Sequence, residues 1–163
     1  MNDELEIRVA TSPDVAHMKA LSDSVTSEDI PWLGNHEVPE DVFQITIKQI
    51  ETSSTSTTLL AWRGSDLVGQ LDCAAREGHL SEFAITVHRK HRHSGVGQAL
   101  LAKLLEWAHE QPELERLQAK VLEPNTAAQL LLQNHGFAIE ARPPYEVTIR
   151  GQAMREEKWY LDV

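Results

Sequence analysis

The sequence predicts an α/β (α+β) domain, and three observations carry that prediction. Short segments alternate apolar and polar residues, as Leu5, Ile7 and Val9 do with Glu6 and Arg8, which is the two-residue period of a half-buried strand. Others repeat apolar residues at helical spacing, as Val96, Leu100, Leu104 and Leu105 do. Between Leu80 and Leu101 the first pattern passes into the second across a cationic turn.

Taken in order, the first strand is followed by Ser12-Pro13, an N-cap and first-turn proline for a helix that carries Val15, Met18 and Leu21 inward. Residues 26–39 read as irregular. A second helix starts at Pro39, with Glu40 and Asp41 suited to its positive end and Val42, Phe43, Ile47 and Ile50 on its buried side. The Ser/Thr run from Thr52 to Thr58 reads as a loop. Strands at Leu59–Trp62 and Leu67–Cys73, joined by a turn at Gly64-Ser65-Asp66, lead through Glu77-Gly78 into the strand ending at Val87, an antiparallel meander.

A helix from Gly95 to about Gln111 stops at Pro112, and Leu117–Leu122 is a fifth strand. Asn125 caps a short helix that Gly136 ends, Phe137–Ala141 returns to the sheet, and Tyr145–Ile149 and Met154–Leu161 form a last pair turning at Arg150-Gly151. There is no internal repeat, and residues 1–163 read as one domain.

Composition sets the outer bounds. At 163 residues, 41% hydrophobic and 25% charged, the chain can bury one sizeable core. A net charge of -10 argues against nucleic-acid or anionic-membrane partners. No apolar run approaches the ~20 residues of a membrane span. Met1-Asn2-Asp3-Glu4 lacks the basic and apolar regions of a signal peptide, so a cytoplasmic protein is expected. The single cysteine, Cys73, lies in an apolar strand and reads as an inert core residue. His88, His91 and His93 lack metal-ligand spacing and have no neighbouring acid or cysteine to complete a site, so no metal is expected.

Against this acidic background, residues 88–93 hold three Lys/Arg, three His and no acid, a local positive site for a small polyanion. Gly95 and Gly97 open the helix that follows, where unpaired N–H groups and the helix dipole receive phosphate. The loop lacks the Gly-Lys-Ser/Thr end of a Walker loop, and Leu100 stands where a dinucleotide fingerprint wants Gly or Ala. What remains, Arg92-His93-Ser94-Gly95-Val96-Gly97, fits the R/Q-x-x-G-x-G/A pyrophosphate motif and resembles the GNAT superfamily of acyl-CoA N-acyltransferases. Val87 lies five residues before Arg92 as in the family's V-x-P-x-x-R pattern, with Arg89 in place of Pro. Residues 125–137, from Asn125 to Gly136-Phe137, resemble the family's N-x-x-A-x-x-L-Y-x-x-x-G-F, with Leu132 in place of Tyr. The pattern is nearest to the ribosomal-protein N-terminal and spermidine acetyltransferase branches.

The resemblance implies a single-domain fold with a mixed, mostly antiparallel sheet of about seven strands flanked by about four helices, the fourth and fifth strands parallel and splayed. It implies acetyl-CoA as acyl donor, transfer to a small-molecule or peptide amine, and is compatible with a homodimer. By the family pattern, backbone groups of Ile85, Thr86 and Val87 would pair with the pantetheine arm, and N–H groups of His93, Ser94, Gly95, Val96 and Gly97 would hold the pyrophosphate. Arg92 fits either a phosphate contact or a surface charge, and Asn125 either a pantetheine contact or an N-cap.

Glu82 is the candidate base. An acid occurs there in both branches, and strands are depleted of glutamate without a reason, which favours this role over that of a salt-bridged strand residue. A carboxylate of pKa ~4.3 is a weak base for an amine of pKa ~10.4, so Glu82 would work through water or by holding the ammonium. Leu132 cannot protonate the leaving sulfur; Tyr145, Tyr160, His135 and water are the substitutes. Glu28, Asp29 and Trp32 lie in an acidic stretch without Lys or Arg, from Glu28 to Asp41. They suit either the wall of a cationic acceptor site, for a polyamine, peptide amino terminus or basic antibiotic, or a solvated loop. The competing functional reading, supported by Leu132, is a CoA-binding regulatory protein without turnover.

Overall fold

The computed structural model describes residues 4–33, 37–140 and 145–163. Alternation in the sequence becomes sheet: β1 (Leu5–Val9) pairs antiparallel with β2 (Thr57–Arg63), β2 with β3 (Asp66–Ala75), and β3 with β4 (Leu80–Val87). The Ser/Thr run expected as loop is partly strand. Thr57 and Thr58 begin β2 and are buried, as their β-branched side chains favour, and Ser56 accepts a hydrogen bond from the Ala75 N–H at 2.9 Å.

Helix α1 (Val15–Thr26) buries Val15, Met18, Leu21 and Val25. The chain enters it through Thr11, one residue before the expected cap: the Asp14 carboxylate accepts from the Thr11 N–H and hydroxyl and pairs with Arg8. Helix α2 (Glu40–Thr52) buries Phe43 and Ile47. Val42, expected inward, is 42% exposed because it faces a solvent-reached chamber described below. The remaining elements are α3 (Val96–His109), β5 (Arg116–Leu122), α4 (Thr126–Asn134), β6 (Ala138–Ile139), β7 (Tyr145–Ile149) and β8 (Gln152–Asp162).

Among the described residues eight strands form one sheet, ordered β1-β2-β3-β4-β5-β8-β6 with β7 also on β8. The expected return of 137–141 to the sheet contracts to the two residues of β6, and Ala141 lies outside the described residues. One face of the sheet packs on α3 and α4 through Leu71, Phe83, Leu100, Leu104, Leu117 and Leu132. The opposite face packs on α1 and α2 through Met18, Phe43, Ile47, Leu60 and Trp62. No described helix is long and apolar enough to cross a membrane.

One pairing departs from the antiparallel rule. β4 and β5 run parallel and pair only at Leu80↔Arg116, Ser81↔Leu117 and Glu82↔Gln118, while β5 stays paired with β8 along its whole length. Beyond Glu82 the strands diverge, and the β5-facing edge of β4 carries no strand partner.

Close packing of α3 on the sheet requires Gly69. A Cβ there would lie 2.6 Å from Val96 Cγ1 and 3.1 Å from Leu100 Cδ1. Gly69→Ala is therefore expected to lower the unfolding free energy by about 1–3 kcal/mol through overpacking, measured by urea titration with an unchanged m-value.

Candidate active site

Three cavities meet where β4 leaves β5, and Thr86 lines all of them. A groove of about 550 Å³ runs from the end of β4 across the start of α3 to α4. It brings together Ile85, Thr86, Val87, Arg92, His93, Gly95, Val96, Gly97 and Asn125. Ser94 is the one expected cofactor residue outside its lining, its hydroxyl donating to the His91 carbonyl.

The start of α3 has the form an anion needs. Gly95 takes the left-handed conformation at φ +88 and no side chain caps the helix, so the first-turn N–H groups and the positive end of the helix dipole face the groove. His93 is also left-handed, at φ +59. A Cβ on Gly97 would sit 3.3 Å from Leu131 Cδ2, so the missing side chain keeps the passage between α3 and α4 open.

The basic turn is tied down by its own residues. Arg92 donates from Nε to the Val87 carbonyl at 3.0 Å and from both terminal nitrogens to the two Glu28 oxygens, each at 2.6 Å. This is a partly buried fork rather than a free surface charge. Arg63 reaches from β2 to His91 Nδ1 at 3.0 Å and to the Ser94 hydroxyl at 3.3 Å. Burial first, and then the Arg63 charge, hold His91 below the usual imidazole range, which keeps Nδ1 an acceptor. His88 accepts from the Lys90 N–H. Among the described residues no group of three or more His, Cys, Asp or Glu gathers as metal ligands.

The second cavity, about 260 Å³, is the cleft between the diverging strands, lined by Phe83 to Thr86 on one side and Ala119 to Leu122 on the other, with Trp32 and Asn125 at its wall. Asn125 is an N-cap that also stands at the wall of two cavities. Its side chain accepts from the Ala128 N–H at 3.2 Å as an N-cap, and it lines cleft and groove together. Leu132 is buried in the main core and borders the cleft. Neither Tyr145 nor Tyr160 lines any of the three cavities. Lys158 lies over the Tyr145 ring and Arg116 over that of Tyr160. His135 Nδ1 bonds to the Leu131 carbonyl.

The third cavity is a chamber of about 360 Å³ between the sheet and helices α1 and α2, with Gln70, Asp72 and Thr86 on its sheet side. Asp72 and Gln70 are the site residues that motif reading missed. Register places Asp72 opposite Ala84 and Gln70 opposite Thr86. The signal was present: an aspartate within a strand is as unusual as the glutamate at 82. Desolvation pushes the Asp72 carboxyl above the usual carboxylate range, against the lowering effect of hydrogen bonds from Gln70 and Thr58.

Glu82 lies on the same face of the sheet, opposite Ala74. Its carboxylate accepts from Gln118 at 2.9 Å and lies 3.5 Å from Arg76 and 3.6 Å from Lys120. It is not among the residues that line the three cavities. The expected acidic wall is also engaged: Glu28, its side chain 8% exposed, holds Arg92, and Asp29 pairs with Arg150. Burial raises the Cys73 thiol to about 12, so it stays protonated and inert.

Residues 23–137 match the acetyltransferase (GNAT) family, and the chain belongs to that family. A GNAT-family acetyltransferase from Streptococcus pneumoniae superposes with a TM-score of 0.88 at 28% identity, over 98% of this chain and 100% of that one. A ribosomal-protein-alanine N-acetyltransferase from Brucella melitensis gives 0.84 at 22%, over 97% and 99%. A spermidine N-acetyltransferase from Vibrio cholerae, in complex with CoA and spermine, gives 0.79 at 18%, over 99% and 96%. Likenesses this similar in strength pick out no single branch.

Because Asp72 is harder to ionise folded than unfolded, its charge costs stability. The stability is fully present below the unfolded pKa of ~3.9 and is lost as pH rises through the raised folded value. Asp72→Asn is therefore expected to melt at a higher temperature than the parent near pH 8, with the gain shrinking towards pH 4, by thermal scans across that range.

Proposed function

We propose that the protein is an acetyl-CoA-dependent N-acetyltransferase acting on a primary amine. The observation that carries this reading is one groove holding two open rows of donors, the uncapped start of α3 and the unpaired edge of β4. A diphosphate suits the first. An amide-bearing arm suits the second, since an unpaired strand edge offers N–H and C=O groups at strand spacing.

When bound, the coenzyme supplies an acetyl thioester, an activated acyl group that an uncharged amine can attack. The residues for binding it are those the groove gathers. N–H groups at His93 to Gly97 meet the diphosphate, and Ile85 to Val87 meet the arm. Arg92 keeps two of its five N–H donors free of the Val87 and Glu28 bonds for a phosphate oxygen. An N–H of the open β4 edge polarises the carbonyl. The chamber under α1 and α2 joins the groove at Thr86, which gives the acceptor its own approach.

Glu82, held by Gln118, Arg76 and Lys120, acts on an amine here only through water. With Leu132 in place of a phenol, the sulfur is protonated by water; a thiol of pKa ~8.5 is a tolerable leaving group unaided. Leu132 is also the observation that favours the second reading, a CoA-binding protein without turnover.

Calorimetry and a thiol-release assay test the proposal together. The parent is expected to bind CoA and Gly97→Glu to lose it at least tenfold, because the new carboxylate enters the phosphate end of the groove. Thiol release from acetyl-CoA is expected to rise on adding a primary amine. CoA uptake without any amine-dependent release supports the second reading, and no CoA uptake removes both.

A further inference from the structure

Asp72 is the charged group of the acceptor chamber. Its neighbours on the sheet are arranged around it: Gln70 Nε2 donates to Oδ1 at 3.0 Å and to Oδ2 at 2.9 Å, and the Thr58 hydroxyl donates to Oδ1 at 3.1 Å. Gln70 and Thr58 are both buried. A carboxylate has roughly four acceptor sites, so Oδ2, with a single hydrogen-bond partner, keeps acceptor capacity, and Asp72 lines the chamber. Among the described lining residues no other side chain is charged. Helices α1 and α2 and strand β4 present apolar groups and the hydroxyls of Ser22, Thr26, Thr46 and Thr86. Beyond α1, Glu28 and Asp29 are engaged by Arg92 and Arg150.

We propose that Asp72 receives the amino group of the acceptor and takes its proton, and that the acceptor is a compact primary monoamine with an apolar body. This rests on the acetyltransferase reading and adds to it the acceptor class and the group that touches it. The charge inventory decides the class. One carboxylate matches one ammonium, and a second cation on the same molecule held inside the chamber would lie against the buried Leu21, Val25 or Phe43, where an unpaired charge is costly. The acidic stretch that suggested a polyamine has its first two carboxylates already paired.

The chemistry follows from desolvation. In a chamber with an apolar wall, the charged pair of carboxylate and ammonium is penalised relative to the neutral pair of carboxyl and amine. Burial that raises the Asp72 pKa therefore narrows the gap the proton must cross. One proton passes from the ammonium to Asp72. The nitrogen lone pair then attacks the thioester carbon, a C–N bond forms, and the C–S bond breaks with its electron pair going to sulfur. The second nitrogen proton reaches sulfur through water, giving amide and thiol, and Asp72 returns its proton to solvent as the amide leaves. Asp72 must be ionised to begin the cycle, so the acid limb of kcat/KM is set by its raised pKa.

The test uses the full chain, acetyl-CoA and four amines: isoamylamine, phenethylamine, putrescine and spermidine. The parent is expected to turn over the two monoamines with kcat/KM at least tenfold above the two polyamines. Asp72→Asn is expected to lose 10²- to 10⁴-fold, the range of a general base, to lose the acid limb, and to bind CoA as the parent does. Gln70→Leu removes donors that favour the charged carboxylate, so its acid limb is expected at higher pH than the parent's, which a merely structural role would not produce. Without acetyl-CoA, carboxyl-carbon NMR is expected to show phenethylamine lowering the titration midpoint of Asp72.

Polyamine preference overturns the acceptor class. Near-parental activity in Asp72→Asn, an unmoved limb in Gln70→Leu, or no response of the Asp72 carboxyl to the amine overturns the role of Asp72. In each of these the parent still acetylates an amine, so the acetyltransferase reading survives; a parent that acetylates none of the four and binds no CoA overturns both.

Discussion

The site depends on the early end of one strand pairing. β4 and β5 share three residue pairs and then separate, and the separation creates both the open edge of β4 and the cleft beside it. Something must hold the vertex, because a parallel pair this short has few ladder bonds of its own. Glu82 does so: its carboxylate gathers Gln118 and Lys120 from β5 and Arg76 beyond the end of β3. The wedge stays open further along because β5 is paired on its other side to β8 for its whole length, and β4 to β3 from Ser81 to Val87. Each strand is thus fixed by a neighbour that lies away from the cleft.

The helices complete what the strands begin. α3 lies close on the sheet because Gly69 leaves room for Val96 and Leu100, and this brings its uncapped N-terminus next to the end of β4. α4 borders the same groove through Ala128 and Leu131, and its cap Asn125 reaches the cleft. On the opposite face, α1 and α2 meet the sheet through Met18, Phe43 and Ile47 and leave the chamber that Asp72 enters. The two faces differ in chemistry as well as in partners. The groove offers backbone donors and cations, whereas the chamber offers hydroxyls, apolar walls and one carboxylate.

Much of this was legible in the residues. Alternation and helical spacing located the elements, and the sequence Arg92 to Gly97 marked a glycine-containing turn that the structure places at the start of α3. Three kinds of feature were not legible, each for a physical reason. The Ser/Thr run hid the start of β2, because threonine serves loops and strands alike. Val42 follows helical spacing yet is exposed, because periodicity gives a face but not what lies across from it. Asp72 went unnoticed beside Glu82, although both are acids in strands on the same sheet face. What separates them is the environment supplied by distant chain: Gln118 and Lys120 take up one carboxylate, and α1 and α2 enclose the other. Likewise Glu28 read as a wall residue because its partner Arg92 lies 64 positions away.

The fork between Arg92 and Glu28 ties the basic turn after β4 to the segment that follows α1. Glu28 follows the helix that roofs the chamber, and Arg92 belongs to the turn that faces the groove. The Glu28 carboxylate is 8% exposed, so taking the guanidinium away would leave a nearly buried charge without its partner; the turn and the end of the helix are held as one piece.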